Sequence, residues 1–281
     1  MRIDAIILRD VAQLANALAM SVTEARFEVQ LLLAQVLQVN RAWLIAHTDY
    51  ALSAVEYSQY QQYLQRRLQA EPIAYIFGEK EFYGMTFHVT PEVLIPRPDT
   101  ELLVELALSR IPVDRKMRVL DLGTGSGAIA ISIAISRPLA HVLAVDKSVT
   151  ALFIAQANAR KLGAANVEFM VSDWWHAIPN TQKFDVIVSN PPYIAEHDAH
   201  LQQLHYEPIS ALTAGLTGLD DIQTITKTAT QYLAEDGYLL LEHGYNQAPS
   251  VREYLSLAGF TDIASERDLG NVERVSLGRK I

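Results

Sequence analysis

Between Ile3 and about Ala70 the apolar residues recur at helical spacing: Leu14, Ala17 and Leu18, then Phe27, Leu31, Ala34 and Leu37, then Tyr57, Tyr60, Leu64 and Leu68. Thr23, followed by Arg26 and Phe27, marks the start of one helix, and Ser53 with Glu56 three residues later forms a capping box that opens another. This pattern predicts a small helical domain over residues 1–72. From Ala74 to Ile95 the texture changes to aromatic and β-branched residues, among them Tyr75, Ile76, Phe77, Phe82, Phe87 and Val89, broken by Gly78, Gly84 and Pro91. Such punctuation predicts a β-hairpin, and residues 73–97 read as a connector between domains.

After Pro98 helix and strand periods alternate. Helices are expected over Asp99–Arg110, Ala128–Ser136, Val149–Leu162, Leu219–Leu233 and Gln247–Ala258. Strands are expected over Met117–Leu122, His141–Val145, Val167–Val171, Phe184–Ser189, Tyr238–Glu242, Asp262–Ser265 and Val272–Leu277. Alternation of this length predicts an α/β domain over residues 98–281, with a mostly parallel, seven-stranded sheet covered on both faces. The last two strands lie close together and read as an antiparallel pair completing the sheet.

Composition narrows the function more than the fold. The chain has 281 residues, 50% hydrophobic and 20% charged, which is ordinary for a folded enzyme. Its 23 basic and 32 acidic residues leave a formal charge of -9. An averaged field of that sign repels phosphates, so no stable nucleic-acid binding is expected; Arg66, Arg67 and Lys80 are too scattered to form a basic patch. Cysteine is absent, which excludes disulfides, thiolate metal sites and a cysteine nucleophile. The longest apolar stretch, Ile129–Ser136, is too short to span a bilayer, so no membrane association and a cytoplasmic location are expected.

Two stretches carry chemistry. Asp121-Leu122-Gly123-Thr124-Gly125-Ser126-Gly127 joins a strand to a helix, where open α/β sheets bind ligands. Its Gly-x-Gly-x-Gly spacing departs from the dinucleotide fingerprint, and no Gly-Lys-Ser/Thr follows, so a nucleoside with an amino-acid tail suits it better than a pyrophosphate. Asp146, at the end of the next strand, can accept both hydroxyls of a ribose. Asp173 and Trp174, after the third strand, can meet an adenine amino group and face, although one of Trp174 and Trp175 is equally suited to packing on the sheet.

The second stretch runs from Asp185 through a buried strand into Asn190-Pro191-Pro192-Tyr193. Two prolines fix dihedrals and remove two N–H donors, leaving a stiff turn rich in acceptors. An amide or aromatic amine nitrogen has a delocalised lone pair, so attack on an activated methyl requires the nitrogen to be held in line. The Asn190 side-chain carbonyl and the Pro191 backbone carbonyl can accept its two N–H bonds while Tyr193 covers the planar group. The motif specifies planar-nitrogen chemistry and leaves adenine, guanine and glutamine open as acceptors.

Taken together these residues resemble the HemK/PrmC family of glutamine methyltransferases. The likeness includes Glu71-Pro72-Ile73-Ala74-Tyr75-Ile76, the run Ile95-Pro96-Arg97-Pro98-Asp99-Thr100-Glu101, both stretches above, Glu207-Pro208, Gly218-Leu219-Asp220 and Leu241-Glu242-His243-Gly244. The resemblance implies a Rossmann-like, S-adenosyl-L-methionine-dependent enzyme with S-adenosyl-L-homocysteine as product. It implies cofactor contacts from Gly123, Thr124, Gly125, Ser126, Gly127, Asp146, Asp173, Trp174 and Asn190, and an acceptor amide held by Asn190, Pro191, Pro192 and Tyr193. The implied substrate is the glutamine of the Gly-Gly-Gln motif in class I peptide chain release factors, gripped in part by the N-terminal helical domain. Arg97 reads equally as an inter-domain ion pair or a site residue. The chain departs from the family at Ile209, where arginine is usual, and at Ala70, where glycine is usual. A ribosomal-protein glutamine methyltransferase and a nucleic-acid adenine or guanine amino methyltransferase are the alternatives; a dinucleotide dehydrogenase and a non-catalytic cofactor-binding module are weaker ones.

Overall fold

A computed structural model describes residues 1–281. The chain divides into two compact units, Met1–Gly78 and Glu79–Ile281. The first unit holds α1 (Ile3–Leu18), α2 (Val22–Leu37), α3 (Arg41–Ala46), α4 (Ala54–Leu68) and α5 (Ile73–Phe77). Its core is built from Ile3, Ile6, Leu14, Val29, Leu32, Leu33, Leu44 and Leu64, all essentially excluded from solvent. Asp10 is buried among them because the Tyr60 hydroxyl and the Arg9 guanidinium both donate to its carboxylate.

Two expectations change here. The second helix opens at Ser21 rather than Thr23, because Ser21 and Glu24 close a reciprocal capping box; the Ser53–Glu56 box forms as expected. Tyr75, Ile76 and Phe77 belong to α5 rather than a hairpin: Pro72 precedes the first turn and Gly78, at φ +74°, ends it in a left-handed cap. Arg66 and Arg67 pair with Glu71 and Glu28.

In the second unit the hairpin is shorter than predicted, with β1 (Glu79–Phe82) antiparallel to β2 (Met85–His88). A 3-10 turn, Pro98–Thr100, leads into α6 (Glu101–Leu108), followed by β3 (Arg118–Leu122), α7 (Ala128–Ser136), β4 (His141–Asp146), α8 (Val149–Leu162), β5 (Val167–Val171) and β6 (Phe184–Ser189). Then come α9 (Asp220–Ala229), β7 (Leu233–Glu242), α10 (Ala248–Leu257), β8 (Thr261–Arg267) and β9 (Glu273–Arg279). The seven-stranded sheet has the order β5-β4-β3-β6-β7-β9-β8, parallel except where β9 pairs antiparallel with β7 and β8.

β7 begins five residues before the expected Tyr238. The polar run Glu235-Asp236-Gly237 reads as a turn, but the sheet absorbs it as a register shift between the Phe184–Leu233 and Val186–Tyr238 pairs. One face of the sheet is packed by α6, α7 and the hairpin through Leu103, Ile129, Phe82 and Phe87; the other is packed by α9 and α10 through Ile225 and Val251. Burial on both faces explains why β3, β4 and β6 read as nearly continuous apolar runs.

Candidate active site at the switch point of the sheet

Strand order reverses at β3. The chain leaves β3 toward β4 on one side and later returns with β6 on the other, so a crevice opens beyond the carboxyl ends of β3 and β6. Leu122 and Ser189 face each other in register at that edge, and the Ser189 hydroxyl donates to the Leu122 carbonyl at 2.7 Å. The glycine loop and the Asn-Pro-Pro-Tyr turn therefore start side by side.

The glycine loop is held from within. The amides of Gly123 and Thr124 both donate to the Val145 carbonyl at 2.9 Å, the Gly125 amide donates to Asp146 Oδ2 at 2.9 Å, and the Gly127 amide donates to the Thr124 carbonyl. A loop that cradles phosphates needs those N–H groups pointing at the ligand. Here they are engaged inside the protein, which disfavours a pyrophosphate ligand. Asp121, fully buried at the end of β3, accepts the Thr124 hydroxyl at 2.7 Å, and burial pushes its carboxyl up to about 7.

A cleft lies against this loop. Gly123, Gly125, Asp146, Asp173, Trp174, Asn190 and Pro192 all line it. Asp146, whose carboxyl is pushed up chiefly by burial, is partly occupied by the amides of Gly125 and Ser148 and retains lone pairs for a further donor. The Trp174 indole stands over the loop, oriented by its N–H to Asp221 at 3.1 Å and by the Ser172 hydroxyl on its carbonyl. Of the two tryptophans, Trp175 is the packing residue, buried and stacked on Tyr232. Thr124, Ser126 and Gly127 stand behind the lining, where a Cβ on Gly127 would come within 2.7 Å of Ile131. Asp146 thus fits a ribose, and the Trp174 ring an adenine face.

A second cavity adjoins the first and shares Leu94, Asn190 and Ala211 with it. Pro191, Tyr193 and Arg97 line it. Asn190 Nδ2 donates to the Thr100 hydroxyl at 3.2 Å, while Asn190 Oδ1 is buried without a partner. The Tyr193 hydroxyl faces Glu242 Oε1 at 3.4 Å, and burial beside that carboxyl pushes the phenol up. Glu242, at the end of β7, is fully buried, and burial pushes its carboxyl up to about 7.

Arg97 pairs with Glu207, whose carboxylate also accepts the Ile95 amide at 3.1 Å. Both residues lie within the second unit, so of the two readings of Arg97 the inter-domain pair is replaced by a clamp between the Ile95–Pro98 segment and the loop before α9, while Arg97 also lines the second cavity. Asn158 of α8 accepts the His88 amide at 2.7 Å and donates to the carbonyls of His88 and Ser126. One buried carboxamide thereby joins the hairpin to the glycine loop. Thr100, Glu207 and Glu242 are marked in the sequence only by the family-like runs that contain them, and no local signal marks Asn158.

Comparison with known proteins agrees with this geometry. A methyltransferase domain family matches residues 113–266, and the PrmC N-terminal domain matches residues 11–78. A release factor glutamine methyltransferase of Burkholderia pseudomallei is 47% identical, covering 95% of this chain and 95% of its own length. One from Coxiella burnetii is 45% identical, covering 91% and 92% respectively. A 16S rRNA methyltransferase of T. thermophilus, solved with AdoMet and guanosine, shares the fold at 23% identity and a TM-score of 0.54, covering 72% of this chain and 50% of that one.

Proposed function

We propose, from the premise that the chain belongs to the release factor glutamine methyltransferase family and is thus a protein-glutamine N-methyltransferase, that it methylates the glutamine of the Gly-Gly-Gln motif in class I release factors. The methyl donor in this reading is S-adenosyl-L-methionine, bound along Gly123, Gly125, Asp146, Asp173 and Trp174. The cofactor supplies an activated methyl group; the chain's own residues bind, orient and shield the acceptor.

The observation that carries the reading is the unpartnered, buried Oδ1 of Asn190 where the two cavities meet. A buried acceptor without a partner is uncommon in a folded protein and marks a position where a ligand donor belongs. An incoming carboxamide NH2 has two donors, which Asn190 Oδ1 and the Pro191 carbonyl can accept, with Pro192 stiffening the turn and Tyr193 against the planar group. Held this way the nitrogen is aimed at the methyl carbon, and a proton leaves once the nitrogen carries the new bond, so no base with a tuned pKa is required. The helical unit, Met1–Gly78, is assigned to gripping the protein substrate.

Mass spectrometry of a class I release factor incubated with the enzyme and S-adenosyl-L-methionine tests this. One methyl group on the glutamine of Gly-Gly-Gln is expected. An unmodified factor, with transfer to a ribosomal protein or to nucleic acid in parallel reactions, would overturn it.

A further inference from the structure

Gln247, just before α10, is buried and lines neither cavity. Its Oε1 accepts the Gly244 amide at 2.8 Å, and its Nε2 donates to the carbonyls of Tyr193 at 3.0 Å, Gly218 at 3.3 Å and Thr217 at 3.4 Å. An amide N–H only donates and a carbonyl only accepts, so the sense of this carboxamide is fixed. Three segments meet on it: the Asn-Pro-Pro-Tyr turn, the loop before α9 and the residues after β7. The approach is close on both sides. A Cβ on Gly218, already at φ +72°, would come within 2.2 Å of the Tyr193 carbonyl oxygen and 3.0 Å of Gln247 Nε2. One on Gly244 would come within 3.0 Å of Gln247 Oε1. These glycines belong to the runs Gly218-Leu219-Asp220 and Leu241-Glu242-His243-Gly244, which the chemistry of the site leaves without a role.

Pro191 and Pro192 have no N–H to donate, so the turn needs an anchor at its exit. There the Ile194 amide donates to the Leu212 carbonyl at 2.9 Å, and the Ile194 carbonyl accepts the Ala214 amide at 3.1 Å. The Tyr193 carbonyl, one residue earlier, is the shortest contact of Gln247 Nε2. We propose that Gln247 is a positioning residue for methyl transfer, holding Tyr193 by its backbone carbonyl so that the ring stays against the acceptor carboxamide in the second cavity. The inference rests on the assignment of Tyr193 to the acceptor and extends it to a residue that acts only through the backbone of the turn. Gly218 serves the same end by letting the loop before α9 close on that carbonyl.

The test uses the full-length enzyme with Gln247→Leu and Gly218→Ala, assayed on a class I release factor. Each should lower kcat by about tenfold to a hundredfold, the effect of a small misplacement of a group against the reacting amide. The KM for the factor and the affinity for S-adenosyl-L-homocysteine should stay within about threefold of native. Independently of turnover, in protein carrying 13Cζ-labelled tyrosine, the Tyr193 signal, identified by its absence in Tyr193→Phe, should move in both variants. If Gln247 only closes the turn from Gly244 into α10, Gln247→Leu would lose stability while kcat and the Tyr193 signal stayed native, and the proposal would be overturned. Gly218→Ala retains Gln247 and decides the matter alone should Gln247→Leu not fold; native kcat or an unmoved Tyr193 signal there would equally overturn it. An enzyme that methylated no glutamine would count against the proposed function, and the Tyr193 signal would still decide whether Gln247 holds the turn.

Discussion

Gly123 lies beneath the Trp174 ring so closely that a Cβ added to it would sit 3.3 Å from the indole. The same residue has φ +75°, a conformation costing an L-residue roughly 1–2 kcal/mol. Both effects act on the floor of the cleft proposed for the cofactor. Gly123→Ala is expected to weaken S-adenosyl-L-homocysteine binding by about tenfold or more, read by calorimetry. Affinity equal to the native protein would remove the loop from the cofactor site.

Asn190→Ala deletes the acceptor but leaves the cofactor cleft largely lined. Loss of one preorganised polar contact in a water-excluded site typically costs about a hundredfold in kcat. Turnover should fall by that order while cofactor affinity changes by less than about threefold. A variant that keeps native turnover would take Asn190 out of the reaction.

Glu207 is buried and serves two donors, the Ile95 amide and the Arg97 guanidinium. Glu207→Ala strands both. Because Arg97 is about a third exposed, the loss should lie at the low end for buried pairs, about 2 kcal/mol, seen as a melting temperature lowered by roughly 4–8 °C. Glu207→Gln, which retains an acceptor for Ile95, should lose less; equal losses would mean that only the charge matters.

Asp121 and Glu242 have folded-state carboxyls at about 7 against ordinary values of 3.8 and 4.5. Between the ordinary and folded values the native state binds more protons than the unfolded chain, so each group makes stability fall as pH rises through that window. Above about 7 the contribution is constant. Glu242→Gln removes one of the two, so the melting temperature of the variant should rise relative to that of the native protein from pH 5 to pH 7.5. A pH-independent difference would show that Glu242 is ionised throughout.

Ala70 occupies φ +68° between α4 and α5, a position where glycine is at ease. Ala70→Gly should stabilise the protein by ~1 kcal/mol without altering cofactor affinity, measured by denaturant unfolding. A destabilised variant would mean that the added freedom of the unfolded chain outweighs the relieved strain.

The sheet was legible because each central strand is buried on both faces and so leaves an unbroken apolar run such as Val186-Ile187-Val188. The glycine loop and the Asn-Pro-Pro-Tyr turn were legible because their residue types are backbone requirements, visible without neighbours. What pairwise proximity decides was not. Nothing around Thr100 or Asn190 in the chain reveals that they meet, since they are 90 positions apart and joined only by the fold. The aromatic run Tyr75-Ile76-Phe77 was misread for a related reason: its β-forming residues are overridden by the Pro72 start and the Gly78 cap. Arg97 was left between two roles, and its partner, Glu207, lies 110 residues away.

The single carboxamide of Asn158 is a mechanical coupling: strand β2 and the floor of the cofactor cleft cannot loosen separately while it holds both. Tightening one end should therefore be felt at the other. Occupancy of the cleft would damp opening of the hairpin, and amide exchange over residues 85–88 would slow on ligand addition although none of them lines the cleft.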